Sequence, residues 1–203
     1  DIKRFRKQLG KKRRFESIPL KVNLHQGEVS VLSVNRHRFP GVDIVARLNR
    51  YYPHGEDTVH VIGYVGRIDE QDLSRLDESE YSGTTHIGKL GIEKSYEDIL
   101  HGKVGYQQVE VNAQVPPEAG KNVNRTLDFS LQQAAVAALE GRKGAIVAIQ
   151  PRDGAVLAMV SSPGYDPNLF VNGIDSASYK ALLNSRDIPL LNRATLGKYP
   201  PGS

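Results

Sequence analysis

Apolar and polar positions along the chain alternate between helical and extended spacing, and the clearest helical stretch lies in the second half. Phe129, Leu131, Gln132, Ala135, Val136 and Leu139 fall on one face behind Asp128, a favoured N-cap, and Gly141 ends the run. Two apolar stretches follow, 145–150 and 155–161, joined by Pro151-Arg152-Asp153-Gly154. Turn residues between β-branched or small apolar flanks predict a β-hairpin there. Both strands are apolar nearly throughout, which fits a sheet covered by helices on both faces. Tyr179, Leu182 and Leu183 then predict a short helix starting near Ser176.

Upstream the pattern is more broken. Ile2, Phe5 and Leu9 have roughly helical spacing and predict a short amphipathic helix ended near Gly10. Leu20, Val22 and Leu24 alternate with polar residues after Pro19 and predict an edge or half-exposed strand. The Val-rich segment 28–35 (Val29, Val31, Val34) fits strand or helix. Val42, Ile44 and their neighbours up to Arg50 read as a strand closing at Tyr51-Tyr52-Pro53. Segment 69–76, with acids at its start and Leu73 and Leu76 three apart, reads as a small capped helix. Ile92, Tyr96, Ile99 and Leu100 mark one helical face that stops at Gly102. Segment 105–112 alternates as a strand, and 123–127 also reads as strand.

Composition adds limits. A chain of 203 residues with 39% hydrophobic and 25% charged positions suits one or two globular domains. No apolar run approaches the length of a bilayer span. The absence of Cys excludes disulfides and thiolate metal sites, but fits either an oxidising or a reducing compartment. The net charge of +4 is local in origin. Lys3, Arg4, Arg6, Lys7, Lys11, Lys12, Arg13 and Arg14 crowd the start beside Asp1, and in the remainder acids outnumber bases. With only Phe5 and Phe15 nearby, this basic stretch lacks the interleaved aromatics of a nucleic-acid surface. A solvated charged face, or attraction to an anionic membrane, suits it better.

Several residues invite a chemical role and then lose it on spacing. His25, His37, His54, His60, His86 and His101 form no i,i+4 pair beside a Glu, so no metal motif stands out, and all six, the tempting His60 included, read as surface or core-edge residues. Gly88 and Gly91 lack the spacing of a phosphate loop. Asp166 and Asn168, in a Pro-rich loop, and Ser161 and Ser162 are read as turn residues. The end of the chain differs. Pro200 and Pro201 make a stiff connector, Gly202 permits close backbone approach, and Ser203 suits a loop-to-helix junction, where helix N–H groups favour an alkoxide and an oxyanion.

The run from Gly144 to Pro163, then Tyr165-Asp166-Pro167-Asn168-Leu169-Phe170, then Asn192-Arg193-Ala194 through Ser203, resembles the start of a class B penicillin-binding transpeptidase domain. Leu127-Asp128-x-x-Leu131-Gln132 resembles the family's entry to that domain. Gly88-Lys89-x-Gly91-Ile92-Glu93-x-x-Tyr96-Glu97 resembles its pedestal. Between Gln114 and Val115 the family's Gly-Arg strand has no counterpart, so either an excursion is lost or residues are missing from the numbering; 28–35 is also short.

The resemblance implies an α+β fold, with an elongated mixed pedestal over 1–120 and the first part of a penicillin-recognising, serine β-lactamase-like domain over 121–203. It also implies that Ser203 is the acyl-ester nucleophile of a Ser-x-x-Lys motif. The Lys base lies beyond Ser203, so this stretch alone is expected to be inactive. The implied activity is peptidoglycan D,D-transpeptidation in cell elongation, with stem peptides as substrates and β-lactams as acylating agents. No cofactor is implied in this stretch, although some relatives carry a zinc site beyond its end. The implied partners are a RodA-type membrane glycosyltransferase and an MreC-type scaffold, with no nucleic acid. The implied location is the periplasmic side of the inner membrane, reached through a single-pass anchor outside the chain. A division-type relative shares the chemistry, a soluble serine β-lactamase would not carry the pedestal, and a purely docking module remains the reading from another class.

Overall fold

The computed structural model describes residues 19–46, 48–76, 81, 84–108 and 113–200, and it separates into two compact units, Asp1–Leu48 and Asn49–Ser203. The basic helix expected near Ile2 to Gly10 lies outside the described residues.

In the first unit the ambiguous Val-rich stretch is helix α1, Gln26–Val34, followed by a 3-10 turn, Arg36–Arg38. Its N-terminus is fixed locally, because the Glu28 carboxylate accepts from the His25 N–H at 3.1 Å and pairs with Lys21. The strand expected at Leu20 to Leu24 does not form. Asn23 sits at φ 55, which breaks the extended run, and no strand lies beside it among the described residues. The stretch from Val42 to Arg50 likewise forms no strand among its described residues.

The second unit begins with helix α2, Gly55–Ile62, and runs into strand β1, Val65–Arg67. Helix α3, Glu70–Leu73, is capped as expected: Asp69 accepts from the N–H groups of Gln71 and Asp72, and the Asp72 carboxylate returns the bond to the Asp69 N–H. Strand β2, His86–Gly88, pairs antiparallel with β1. The helix expected from Ile92 to Leu100 is two short ones, α4 Gly91–Ser95 and α5 Glu97–Leu100, broken at Tyr96, and Gly102 stops the run at φ 76. Strands β3, Tyr106–Gln108, and β4, Ala113–Val115, pair antiparallel.

Glycine accounts for the close packing of α2 against α4. A Cβ on Gly63 would lie 1.8 Å from the Leu90 carbonyl oxygen, and one on Gly91, at φ 59, would lie 2.5 Å from that of Val61. An ion pair between the buried Glu93 and the half-exposed Arg50 then ties α4 to the chain ahead of α2. The Glu93 carboxylate accepts from Arg50 Nε at 2.7 Å and from the Tyr52 hydroxyl at 3.2 Å, and the Tyr52 oxygen accepts from the Val65 N–H at 2.8 Å. Burial, followed by the Glu93 charge, raises the Tyr52 phenol well above its ordinary value, so the hydroxyl stays a donor.

Helix α6, Phe129–Leu139, begins at Asp128, whose carboxylate accepts from the Leu131 N–H, and ends at Glu140 in the left-handed region ahead of Gly141. Strands β5, Gly144–Ile149, and β6, Val156–Ser162, form the expected antiparallel hairpin. The sheet is not covered on both faces within the described residues: β5 alternates between half-buried and exposed, with Val147 and Ile149 open to solvent. The stretch 123–127 is extended but unpaired as a strand. The Thr126 hydroxyl donates to the Val156 carbonyl, and the N–H of the following Asp128 to that of Leu157. Short helix α7, Asn168–Val171, and helix α8, Ser176–Leu183, follow, the latter capped by Asp175. Val59 of α2, Tyr165 and Phe170 of α7 form the core, with Tyr64, Ile174, Leu182 and Leu190 packed around them. Tyr64 stacks on Phe170 at 4.3 Å, and Tyr165 meets Phe170 edge-on. Helix α9, Arg193–Leu196, closes the described chain.

Candidate active site

Ser203 lies outside the described residues, so the site is defined by what leads to it. Sequence dictates the first step: Asn at position 192 before Arg193-Ala194 is a favoured N-cap, and its Oδ1 accepts from the Ala194 N–H at 3.1 Å. The other half of the same carboxamide reaches α2, donating from Nδ2 to the His60 carbonyl at 3.1 Å.

The adjoining residue is held from the sheet. The Arg193 N–H donates to Ser161 Oγ at 2.9 Å, and that hydroxyl donates to the Leu191 carbonyl at 3.2 Å. Ser161, expected in a turn, is therefore a buried residue of β6 that clasps the start of α9. Ser162 ends the same strand. The Arg193 guanidinium is itself buried and donates to the carbonyls of Ile188 and Asp187, so its charge is satisfied by main-chain acceptors. Lys143 pins the same loop from β5's end, at 2.7 Å from the Asp187 carboxylate. After α9 the backbone folds tightly: a Cβ on Gly197 would lie 2.4 Å from the Arg193 carbonyl oxygen and 2.5 Å from the Tyr199 ring.

Two further carboxamides hold the same stretch of chain. Gln132, 1% exposed, accepts from the Met159 N–H at 2.8 Å, donates to the Met159 carbonyl at 2.9 Å, and donates to the Asp57 carbonyl at 2.6 Å. It satisfies the free edge of β6 as a neighbouring strand would. Asn168 Oδ1 accepts from the Tyr52 N–H at 2.9 Å, and its Nδ2 donates to the Tyr52 carbonyl at 3.1 Å. The turn role expected of Asp166 and Asn168 is present as well, since Asp166 Oδ1 accepts from the Asn168 main-chain N–H at 2.9 Å. Spacing rules could not assign these long-range partners. The available signal was, for Gln132, an amide on the apolar face of a helix, which must be bonded if it is buried.

Of the surface and core-edge positions the sequence left open for His60, the structure gives the core edge. Its ring meets Tyr165 edge-on at 5.5 Å, and its Nε2 is buried without a hydrogen-bond partner. Burial lowers its pKa, Arg193 adds to that, and the carbonyls of Pro163 and Pro189 oppose it. Among the described residues no group of three or more His, Cys, Asp or Glu is placed to hold a metal ion. No helix among them is long and apolar enough to cross a membrane.

Helix α2 packs on β6 and against α6, so the β1–β2 region, α6 and the β5–β6 hairpin meet around it, and α9 follows them in the chain. Residues 1–130 match the model of the penicillin-binding protein dimerisation domain, and residues 144–203 that of the penicillin-binding protein transpeptidase domain. The chain belongs to the penicillin-binding protein family. Over its whole length it is 50% identical to the peptidoglycan D,D-transpeptidase MrdA of Escherichia coli K12, of which it spans 34%, about a third. That alignment runs over 216 positions against 203 residues here, so the relative carries residues with no counterpart in this chain.

Solved structures agree. PBP2 of Pseudomonas aeruginosa in complex with WCK 5153 is 53% identical, with a TM-score of 0.72 over 79% of this chain and 34% of that one. PBP2 of Helicobacter pylori, in its complex with MreC, is 29% identical, with a TM-score of 0.74 over 95% of this chain and 40% of that one.

Proposed function

We propose that the chain is part of a peptidoglycan D,D-transpeptidase of cell elongation and rod-shape maintenance, with a non-catalytic pedestal through residue 120, a transpeptidase portion from 121, and Ser203 as nucleophile. The observation that carries this reading is the 50% identity to MrdA across the whole chain, up to and including the Pro-Pro-Gly-Ser end. In the reaction, Ser203 Oγ attacks the carbonyl of the penultimate D-Ala of a stem peptide, and its proton passes to a base, the Lys of the Ser-x-x-Lys motif. The terminal D-Ala leaves as the amine, and the acyl-enzyme remains. An amine of a second stem then attacks the ester, forming the crosslink and restoring the serine hydroxyl. A β-lactam acylates the same oxygen by opening its ring.

The resemblance further supports a periplasmic placement beside the inner membrane, on a single-pass anchor, with RodA-type and MreC-type partners. The complex that the H. pylori relative forms with MreC favours the scaffold, and the apolar Val31 and Val34, 65% and 77% exposed on α1, provide surface for docking. The test is Ser203→Ala in the full-length protein. Labelled penicillin is expected to attach covalently to the native enzyme and not to the variant. Covalent labelling of the variant overturns the assignment.

A further inference from the structure

We propose that the loop between α8 and α9 is a strained latch, held shut by Lys143 and Arg193, whose opening frees the start of α9. Ile188 sits at φ 44, in the left-handed region. Two features of the sequence oppose that conformation. Ile is β-branched, and crowding at its Cβ makes left-handed backbone costly. Pro189 follows, and its ring pushes the preceding residue towards extended backbone. Packing of the side chain does not force the strain, because Ile188 is 53% exposed. The force comes through the main chain.

Three successive carbonyls of the loop accept from two cations. Lys143 Nζ donates to the Arg186 carbonyl at 3.1 Å, and the Arg193 guanidinium donates to those of Asp187 and Ile188, the latter at 3.1 Å. The Asp187 carboxylate lies 2.7 Å from Lys143, and the Asp187 N–H donates to the Ser185 hydroxyl at 3.2 Å. On either side of the strained residue, the Ile188 N–H donates to the Ser185 carbonyl at 3.1 Å and the Leu191 N–H to the Ile188 carbonyl at 3.2 Å. Disfavoured backbone persists where its surroundings over-determine it, and these bonds do so here. Arg193 is only 7% exposed, so a loop that swings away leaves a buried guanidinium short of two acceptors. That cost is avoided when Arg193 follows the loop into water, and Arg193 is the first residue of α9. Loop opening and release of α9 are therefore one event, and the strain relieved at Ile188 makes it more frequent.

Amide hydrogen exchange in the full-length protein tests the latch, read on one peptide covering the loop and another covering α9. The loop peptide reports the Ile188 and Leu191 N–H groups; the α9 peptide reports those of Leu196 and Gly197, bonded to the Asn192 and Arg193 carbonyls. Ile188→Asn places a residue that tolerates left-handed backbone in the same clamp, whereas Ile188→Val keeps the β-branch and the strain. Lys143→Met loosens the clamp alone. The side chains of Ile188 and Lys143 are both about half exposed, so these variants fold. Ile188→Asn is expected to slow exchange in both peptides by roughly tenfold, with Ile188→Val at the native rate. Lys143→Met is expected to speed both by roughly two- to fivefold. Native exchange in Ile188→Asn or in Lys143→Met overturns the proposal, as does equal slowing in Ile188→Val. A loop peptide that responds while the α9 peptide does not overturns it too, since the two would then open separately.

Discussion

The side chain of Gln132 bonds both main-chain groups of Met159, accepting from its N–H at 2.8 Å and donating to its carbonyl at 2.9 Å. One amide thereby completes the outer edge of β6 and, through its bond to the Asp57 carbonyl, anchors α2 to the hairpin. Gln132→Leu, of similar bulk, leaves those main-chain groups buried without partners. The expected loss is about 1–3 kcal/mol, read from urea denaturation of the full-length protein. Gln132→Glu, which keeps the acceptor for Met159 but places oxygen against two carbonyls, is expected to be at least as damaging.

The Asn168 to Tyr52 pair makes a parallel case. Asn168→Ala strips partners from the Tyr52 N–H and carbonyl and removes the side-chain bond to Asp166, and it is expected to cost about 1–3 kcal/mol. Asn168→Asp keeps the acceptor but sets an oxygen against the Tyr52 carbonyl and the Asp166 carboxylate, so its cost should be at least that of Ala. A smaller loss for Asp than for Ala in the same denaturation series would contradict this account.

Tyr52→Phe removes a hydroxyl that donates to Glu93 and accepts from the Val65 N–H. The expected cost is about 1–3 kcal/mol, with faster amide exchange at Val65 as the local signature. Unchanged exchange there would mean that the bond to Tyr52 is not what protects it.

Glycines at positive φ separate into two kinds. Gly141, at φ 74, has nothing within 4 Å of an added Cβ, so Gly141→Ala carries only backbone strain, about 1–2 kcal/mol. Gly91→Ala adds a collision 2.5 Å from the Val61 carbonyl oxygen to a φ of 59. It should therefore lower the thermal midpoint clearly more than Gly141→Ala; equal shifts would show that the α2 to α4 approach is free to open.

Acid should reveal one surface ion pair. Hydrogen bonding to Lys89, at 2.9 Å, leads the effects that lower Asp69 from 3.8 to about 2. A folded pKa below the unfolded one means that the stabilisation is complete above about pH 4 and is lost as pH falls through about 2. Lys89→Met should flatten the stability profile in that window. For His60 the sign is the same at higher pH. Burial lowers its pKa below the ordinary 6.5, so its contribution is complete above that value and declines as pH falls further. His60→Phe should remove that slope, and an unchanged slope would assign it to another group.

The sequence alone determined those elements whose signals are local. Asp128 and Gly141 bound α6, Pro151 to Gly154 turn the β5–β6 hairpin, and Asp69 and Asp72 cap α3, because each of these uses bonds between near neighbours. The apolar patterns at Leu20 to Leu24 and at Val42 to Arg50 did not produce strands among the described residues, since such a pattern specifies a face and not a partner to pair with. Only the tertiary structure decided where the amides of Gln132, Asn168 and Asn192 find their acceptors. Those acceptors are main-chain carbonyls of Asp57, Tyr52 and His60, atoms every residue has, so no side-chain identity marks them in advance. They become specific only when folding lays α2 across the hairpin and the start of α9, where an unbonded buried amide would be costly.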